Sequence, residues 1–376
     1  MKLLIPQEKL KKGLNIVEKI SSKSLTLPIL NNILISAKKN FLNLSATDLE
    51  IGVNWWVLGK IEKEGELTIP AKLLFNFINL LPDKNVSLES KGNNLIIECD
   101  NYNTQVKGLS AEEFPIIPKI TEGESITINS DSFCQNLIQV VDIAVPSATR
   151  PEISGVYFLF QKNLITIAAT DSFRLGEKKV FLKSKTSLEK DYSLILPQKT
   201  VKEIVNIFGE KKGDLRIYFS SNQIMFECYM EETPHPEIQV VSRLIEGEYP
   251  NYQEIIPEKY TTQAILNKND FLNQVKTASL FSGKINEIKF KIDSKKNKIN
   301  IFSESSEVGK HESSILAKIK GDPIQISFNH RFLLDGLMTI KSSEIILELN
   351  GDSGPGVIKS VGDETYLYVV MPIKGN

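Results

Sequence analysis

The chain reads as an α+β protein of three similar domains, each with two helices packed on antiparallel sheet. Two observations predict this. Helix-like segments recur at domain-sized intervals, and each is followed by runs that alternate apolar and polar residues, the pattern of half-buried antiparallel strands. The first helix set begins near Ile5, Ile128 and Leu266, and places an apolar residue five positions on, at Leu10, Phe133 and Phe271. The second set begins near Ile69, Leu196 and Phe328. The sets are offset by 123 and 138 residues and by 127 and 132 residues. Solenoid repeats run to roughly 20–50 residues, so these intervals mark whole domains rather than an array.

Each repeat is expected to open with a helix and continue with a hairpin. The hairpins are NILISAKKNFLNLSATD, GVYFLFQKNLITIAATD and IKFKIDSKKNKINIFSES, and all turn at a Lys-Asn pair ending at Asn40, Asn163 and Asn297. Asparagine tolerates the left-handed backbone of tight turns. Pro70 and Pro197 are expected in the first turn of the second helices, where a missing N–H costs nothing, and Asn329 is expected to cap the third. A second meander follows each: VSLESKGNNLIIEC, LRIYFSSNQIMFEC and IILELNGDSGPGVIKS. The proline-containing stretches 112–125 and 246–260 read as linkers. They set expected domains at 1–121, 122–257 and 258–376.

The 376 residues are 41% hydrophobic and 24% charged, an ordinary globular balance. No apolar run reaches the length of a membrane span, and MKLLIPQEKL is too short in apolar residues for a signal peptide, so a cytoplasmic protein is expected. Cys99, Cys134 and Cys228 form no CxxC pair, and neither a disulfide framework nor a zinc site is indicated. Cys99 and Cys228 fall at matching repeat positions and read as small apolar residues of equivalent strands. The net charge is −1, too balanced for a protein that grips DNA by bulk electrostatics. The six helical segments together carry +4, so positive charge is concentrated on them.

TDLEIG (47–52) and TDSFRLG (170–176) are the sharpest motifs. The second adds Phe173, Arg174 and Leu175, an aromatic, a cation and an aliphatic that suit a peptide pocket. GDSGPG (351–356) has strand-like residues on both sides and reads as a hairpin loop, not a phosphate loop. Trp55 and Trp56 read as a sheet residue and its solvent-side neighbour. The three histidines have no metal-ligand spacing, and no cofactor motif is present. An enzyme using Asp48 and Asp171 as paired acids is a competing reading, but Glu304-Ser305 breaks the pattern in the third repeat. A monomeric peptide-binding scaffold without a DNA role is another.

TLPILNNILI (26–35), TDLEIG, TDSFRLG, EGEYPNYQEIIP, FNHRFLLDGL and the terminal YVVMPIK, in this order within a threefold repeat, resemble the bacterial sliding clamp, the beta subunit of DNA polymerase III. The resemblance covers essentially the full length. It implies a processivity-factor fold closed as a ring of two head-to-tail subunits, with helices lining the hole. Such a ring encircles duplex DNA without reading its sequence, tethers the polymerase and has no catalysis of its own. The implied partners are the polymerase III alpha subunit, the clamp loader, and mismatch-repair proteins and other polymerases that bind by short motifs.

Carried over residue by residue, the resemblance implies a peptide pocket of Ile153, Thr170, Ser172, Phe173, Arg174, Leu175, Pro250, Ile255, Asn329, Phe332, Val369, Met371, Pro372 and Ile373. Lys72 and Lys199 match positions facing DNA, Arg150 matches a loop near DNA and pocket, and Lys23 is adjacent to such a position. Leu280 and Phe281 match one side of the subunit interface, facing Thr104 and Val106 of the other subunit. Ser172 and Phe173 depart from the family's usual TDGHRL, and Thr104 stands where the interface often has an aromatic.

Overall fold

The computed structural model describes residues 1–21, 26–120, 123–182, 186 and 188–373. Six α-helices are found among them: α1 (Gln7–Val17), α2 (Ala71–Leu80), α3 (Ser130–Leu137), α4 (Gln198–Phe208), α5 (Lys268–Ser279) and α6 (His330–Thr339). Leu10, Phe133 and Phe271 are all buried, at the equivalent core position of α1, α3 and α5. Helical spacing explains the rest of each buried face. In α1, for example, Leu10, Gly13, Leu14 and Val17 turn inward together.

Every repeat opens on a strand rather than on a helix. Lys2–Pro6, Ser125–Asn129 and Thr262–Asn267 precede the first helices. Gly65–Pro70, Tyr192–Pro197 and Ile324–Asn329 precede the second ones. Pro70 and Pro197 are therefore the last strand residues before α2 and α4 and not first-turn residues, and Pro70 is the N-cap of α2 at φ −53° and ψ 114°. Asn329 caps α6 as expected, its side-chain oxygen accepting from the Arg331 amide. A third strand follows each hairpin: Ile51–Leu58, Arg174–Phe181 and Gly309–Leu316. At the hairpin tips the left-handed residue is Lys39 in the first copy and Asn297 in the third; Asn40 and Asn163 do not have positive φ. GDSGPG joins the paired strands Glu344–Leu349 and Gly356–Ser360 as a hairpin loop.

The chain forms two compact units. The first comprises Met1–Asp131, Thr186–Glu189 and Asn206–Leu244; the second comprises Ser132–Lys185, Lys190–Val205 and Ile245–Asn376. Sheet continuity explains the division. In the first unit an eight-stranded sheet joins the first-domain strands to Pro236–Arg243, which pairs antiparallel with Ile51–Leu58. In the second a nine-stranded sheet is joined by Arg174–Phe181 pairing with Asp363–Val370. Each unit also holds a smaller sheet. The first unit's has five strands and ends on Tyr102–Lys107; the second's has four and ends on Gly309–Leu316. The paired strands of both units are antiparallel, α1 packs on strands of both sheets of the first unit and α5 on strands of both sheets of the second, which fits the α+β reading.

Two helical glycines are fixed by aromatic neighbours. A Cβ on Gly13 would run into the Trp55 ring, and one on Gly336 into the Tyr368 ring. Trp55 is 2% exposed and Tyr368 fully buried, so neither ring has free space to retreat into. Alanine would gain about 1 kcal/mol of helix propensity over glycine. Overpacking a filled core costs about 1–3 kcal/mol. Gly13→Ala and Gly336→Ala are therefore expected to lower the urea midpoint of the unfolding transition of their own unit. A raised midpoint would show that the ring moves aside without strain.

Candidate peptide groove and charged surfaces

The TDSFRLG segment makes a tight turn between Leu164–Thr170 and Arg174–Phe181, closed by the pair Thr170–Leu175. Two side chains set its shape. The Thr170 hydroxyl donates to the Arg174 carbonyl (2.8 Å) and accepts from the Ser172 amide (3.2 Å). Asp171 Oδ1 accepts from the amides of Phe173 and Arg174, both at 3.0 Å. Ser172 is held at φ +75°, the left-handed region that favours glycine. The turn thus keeps a glycine-type backbone with a serine in it.

Arg174 is the charged hub. It is 9% exposed; its Nε donates to Asp171 Oδ2 at 2.9 Å, Nη1 meets Asp335, and Nη2 reaches the Asp142 carbonyl at 3.4 Å. Its guanidinium also lies 4.9 Å from the centre of the Phe332 ring. Burial opposes its charge, but the Tyr368 hydroxyl and the Asp171 carboxylate outweigh burial and raise its pKa. Phe332 in turn stacks on Phe173 at 6.2 Å, and Phe173 is 61% exposed. On the other side of the turn, Arg150 donates to Ser172 Oγ at 3.0 Å and to Glu152 at 3.2 Å.

Strand pairing brings the C-terminal segment to the turn. Arg174 pairs with Val370 and Leu175 with Val369, and the Met371 amide donates to the Phe173 carbonyl at 2.8 Å. The Ile373 amide donates to the Ser327 carbonyl at 2.8 Å. Met371, Pro372, Ile373 and Pro250 are half-buried, and Ile255 is exposed. Beneath them, Leu175 and Val369 belong to a closed cluster with Ala168, Tyr252 and Val357. Of the residues expected to line the pocket, Ile153, Thr170, Leu175 and Val369 are buried, Phe332 and Met371 are half-buried, and Phe173 and Ile255 are exposed. Asn329 spends its side chain on the α6 cap. Burial, then the Glu177 carboxylate it donates to at 2.6 Å, raises the Tyr252 pKa and keeps that hydroxyl protonated.

A cavity of about 330 Å³ opens on the helix side of Arg174, lined by Ile138, Ile143, Met338 and Tyr368 among others. Of the expected pocket residues only Arg174 reaches it. α3 stops at Leu137, and Ile138, Gln139, Asp142 and Ile143 in the turns that follow line the cavity wall. The β-branched residues there loosen the chain into successive turns.

Asp48 makes the same turn as Asp171. Its Oδ1 accepts from the amides of Glu50 (3.1 Å) and Ile51 (2.9 Å), so both carboxylates serve backbone turns and not acid–base chemistry. No cluster of His, Cys, Asp or Glu among the described residues could hold a metal. The cysteines are free and buried, and burial pushes the Cys228 thiol up to about 11.

Lys72 and Lys199 are exposed, each the second residue of its helix, α2 and α4. Lys23 lies outside the described residues. Arg331, unread in the sequence, is exposed at the same position of α6. The register IPAK, LPQK and FNHR carries the signal. Helix dipoles disfavour a cation in the first turn by about 0.3–1 kcal/mol, so a general helix preference for lysine does not explain three cations there. Thr104 and Val106 sit on the edge strand Tyr102–Lys107, Thr104 half-buried and Val106 buried. Leu280 is 70% exposed just past α5, and Phe281 stacks on His311 of the edge strand Gly309–Leu316 at 5.5 Å.

Three family models match in order along the chain: the DNA polymerase III beta subunit N-terminal domain over residues 1–118, the central domain over 127–251 and the C-terminal domain over 253–374. The beta sliding clamp of Staphylococcus epidermidis is 28% identical over 372 residues, covering 96% of each chain. That of Synechococcus elongatus is 26% identical, covering 100% of this chain and 99% of its own. Among solved structures, the DNA polymerase sliding clamp of Bacillus subtilis superimposes with a TM-score of 0.94 at 27% identity, covering 100% of both chains. A putative DNA polymerase III beta subunit from Eubacterium rectale gives 0.92 at 28% identity, also covering 100% of both chains. The chain therefore belongs to the family of DNA polymerase III beta subunits, the bacterial sliding clamps, which are accessory processivity subunits and not catalysts.

Proposed function

We propose that two copies of this chain close head to tail into a ring around duplex DNA. One observation carries this reading. In both internal junctions the third strand after a first helix pairs with the third strand after a second helix: Ile51–Leu58 with Pro236–Arg243, and Arg174–Phe181 with Asp363–Val370. The same rule leaves Gly309–Leu316 and Tyr102–Lys107, and both are free sheet edges within the chain. Free edges invite pairing with another chain. Two copies joined through these edges form a heterologous contact whose rotation closes. Leu280 and Phe281 flank one edge and Thr104 the other, while buried Val106 supports it from within. Domains bounded at 1–121, 122–257 and 258–376 fit the same scheme; the first boundary itself lies outside the described residues.

Inside the ring, Lys72, Lys199 and Arg331 would meet phosphates without reading bases. Arg150 adds a cation beside the groove. Such contacts hold weakly at physiological salt. Retention comes from encirclement, which suits a balanced net charge of −1. Opening the ring falls to a separate ATP-dependent loader, and the setting is the cytoplasm, where the chromosome is replicated.

The groove around Phe173, Arg174, Phe332 and Met371 would bind short segments of the polymerase alpha subunit, the clamp loader, mismatch-repair proteins and other polymerases, anchored by leucine or phenylalanine. Tethering raises the local concentration of each partner at the primer end without any new contact to DNA.

Two experiments test this reading. Met371→Ala removes a half-buried rim side chain and should weaken a leucine- and phenylalanine-containing peptide about tenfold in calorimetric titration, about 1.4 kcal/mol. An unchanged affinity would remove Met371 from the site. Light scattering should give twice 42.3 kDa for the protein, and Leu280→Asp should drop it to the monomer. A wild-type monomer at every concentration would favour a peptide-binding scaffold without a DNA role.

A further inference from the structure

The turn that shapes the peptide groove is built twice. In TDLEIG the Thr47 hydroxyl donates to the Ile51 carbonyl (2.9 Å) and accepts from the Leu49 amide (3.0 Å), as Thr170 does in the second copy. Leu49 is held at φ +78°, matching Ser172 at +75°. The following strand pair is also repeated. Ile51 pairs with Ser242 and Gly52 with Val241, as Arg174 pairs with Val370 and Leu175 with Val369. The Arg243 amide then donates to the Glu50 carbonyl at 2.9 Å, the counterpart of the Met371 amide on Phe173. Position for position, Arg243 therefore stands where the first groove has Met371, and Ile51 where it has Arg174.

A cavity of about 80 Å³ opens at this second turn, lined by Thr47, Leu49, Ile51, Ile116, Val241 and Arg243 among others. Its rim carries apolar surface that the chain does not cover: Ile116 is 93% exposed and Leu49 42%. Arg243 is exposed, and no ion pair holds its guanidinium among the described residues. The first groove presents an apolar methionine at this position and ties its arginine to carboxylates. The second presents the aliphatic Leu49, Ile51, Ile116 and Val241, with exposed Glu50 and Arg243 both at the rim and no ion pair between them.

We infer that this second turn is a further linear-peptide site, selective for a short segment that combines an aliphatic or aromatic anchor with a carboxylate. The apolar side chain would cover Leu49 and Ile116, and the carboxylate would meet Arg243 as a charge-assisted pair. The inference rests on reading the first groove as a peptide site. Its small volume suits one side chain, so its affinity is expected to be the weaker of the two.

The test is methyl NMR on the full-length protein labelled at isoleucine and methionine methyls. The probe is an acetylated pentapeptide with leucine, phenylalanine and two aspartates; the control replaces both aspartates by asparagine. The Ile51 and Ile116 methyls should shift on titration with the acidic peptide, in the wild type and in Met371→Ala alike. The asparagine peptide should need at least fivefold higher concentration. Arg243→Glu, an exposed change that leaves the core intact, should abolish these shifts while the Met371 methyl still responds. Ile51 and Ile116 methyls that stay silent at peptide concentrations about a hundredfold above those that saturate the Met371 response would overturn the second site alone. Silence at both would overturn the first groove with it. Equal affinity for the two peptides would refute the role of Arg243, and shifts that follow protein concentration without peptide would assign the surface to a second copy of the chain.

Discussion

The structure depends on antiparallel strand pairing made between domains rather than only within them. Once Pro236–Arg243 has joined Ile51–Leu58, and Asp363–Val370 has joined Arg174–Phe181, neighbouring domains share one sheet and one core. The backbone amides and carbonyls that would otherwise be exposed at each edge are satisfied across the junction. This explains why compact units cut through the central domain instead of between domains. Among the described residues the same rule leaves Gly309–Leu316 and Tyr102–Lys107 as the third strands without a partner domain, which fits the proposed head-to-tail assembly.

The junctions also place the grooves. A turn that begins Thr-Asp spends its two polar side chains on its own backbone, fixing a left-handed residue next to the incoming strand. That rigidity makes the turn a platform, and the side chains around it can vary. In one copy the platform carries Phe173 and a paired Arg174; in the other it carries Glu50 and Ile51. Holding a non-glycine residue at positive φ costs on the order of 1 kcal/mol. The hydrogen bonds of Asp171 and Thr170, and of their counterparts Asp48 and Thr47, offset that cost. Arg174 adds rigidity at the first platform because it faces Asp171, Asp335 and the Phe332 ring together, which fixes the aromatic rim.

Much of this was legible in the sequence. The spacing of Leu10, Phe133 and Phe271 gave the threefold repeat and the helix faces, because core packing enforces helical periodicity. The opening strands were not legible, since in KLLIP or TQAILN a few apolar residues run straight into the helix and leave no turn signal between them. The alignment of TDLEIG with TDSFRLG was also hidden. Matching glycine to glycine aligns Gly52 with Gly176, whereas strand pairing of Thr47 with Gly52 and of Thr170 with Leu175 makes Gly52 the equivalent of Leu175. The backbone register is set by Thr and Asp, and the glycine is a neighbour that happens to follow. Arg331 escaped because Asn-His replaces the proline-led entry of the other two helices. Lys39 took the left-handed position expected of Asn40 because a two-residue loop between Lys38 and Phe41 puts it first in the turn.

Cations in the first turns of α2, α4 and α6 bear on how a ring with almost no net charge can hold DNA. A tight electrostatic grip would slow movement along the duplex, since each phosphate contact must break before the next forms. In the proposed ring the exposed cations Lys72, Lys199 and Arg331, each set against its own helix dipole, would meet passing phosphates a few at a time. With retention supplied by closure of the sheet edges, affinity for DNA is free to stay low. In the proposed ring the division of labour would be physical: strand pairing would carry the load, helix cations would lubricate, and the Thr-Asp platforms at the junctions would present the outer partners.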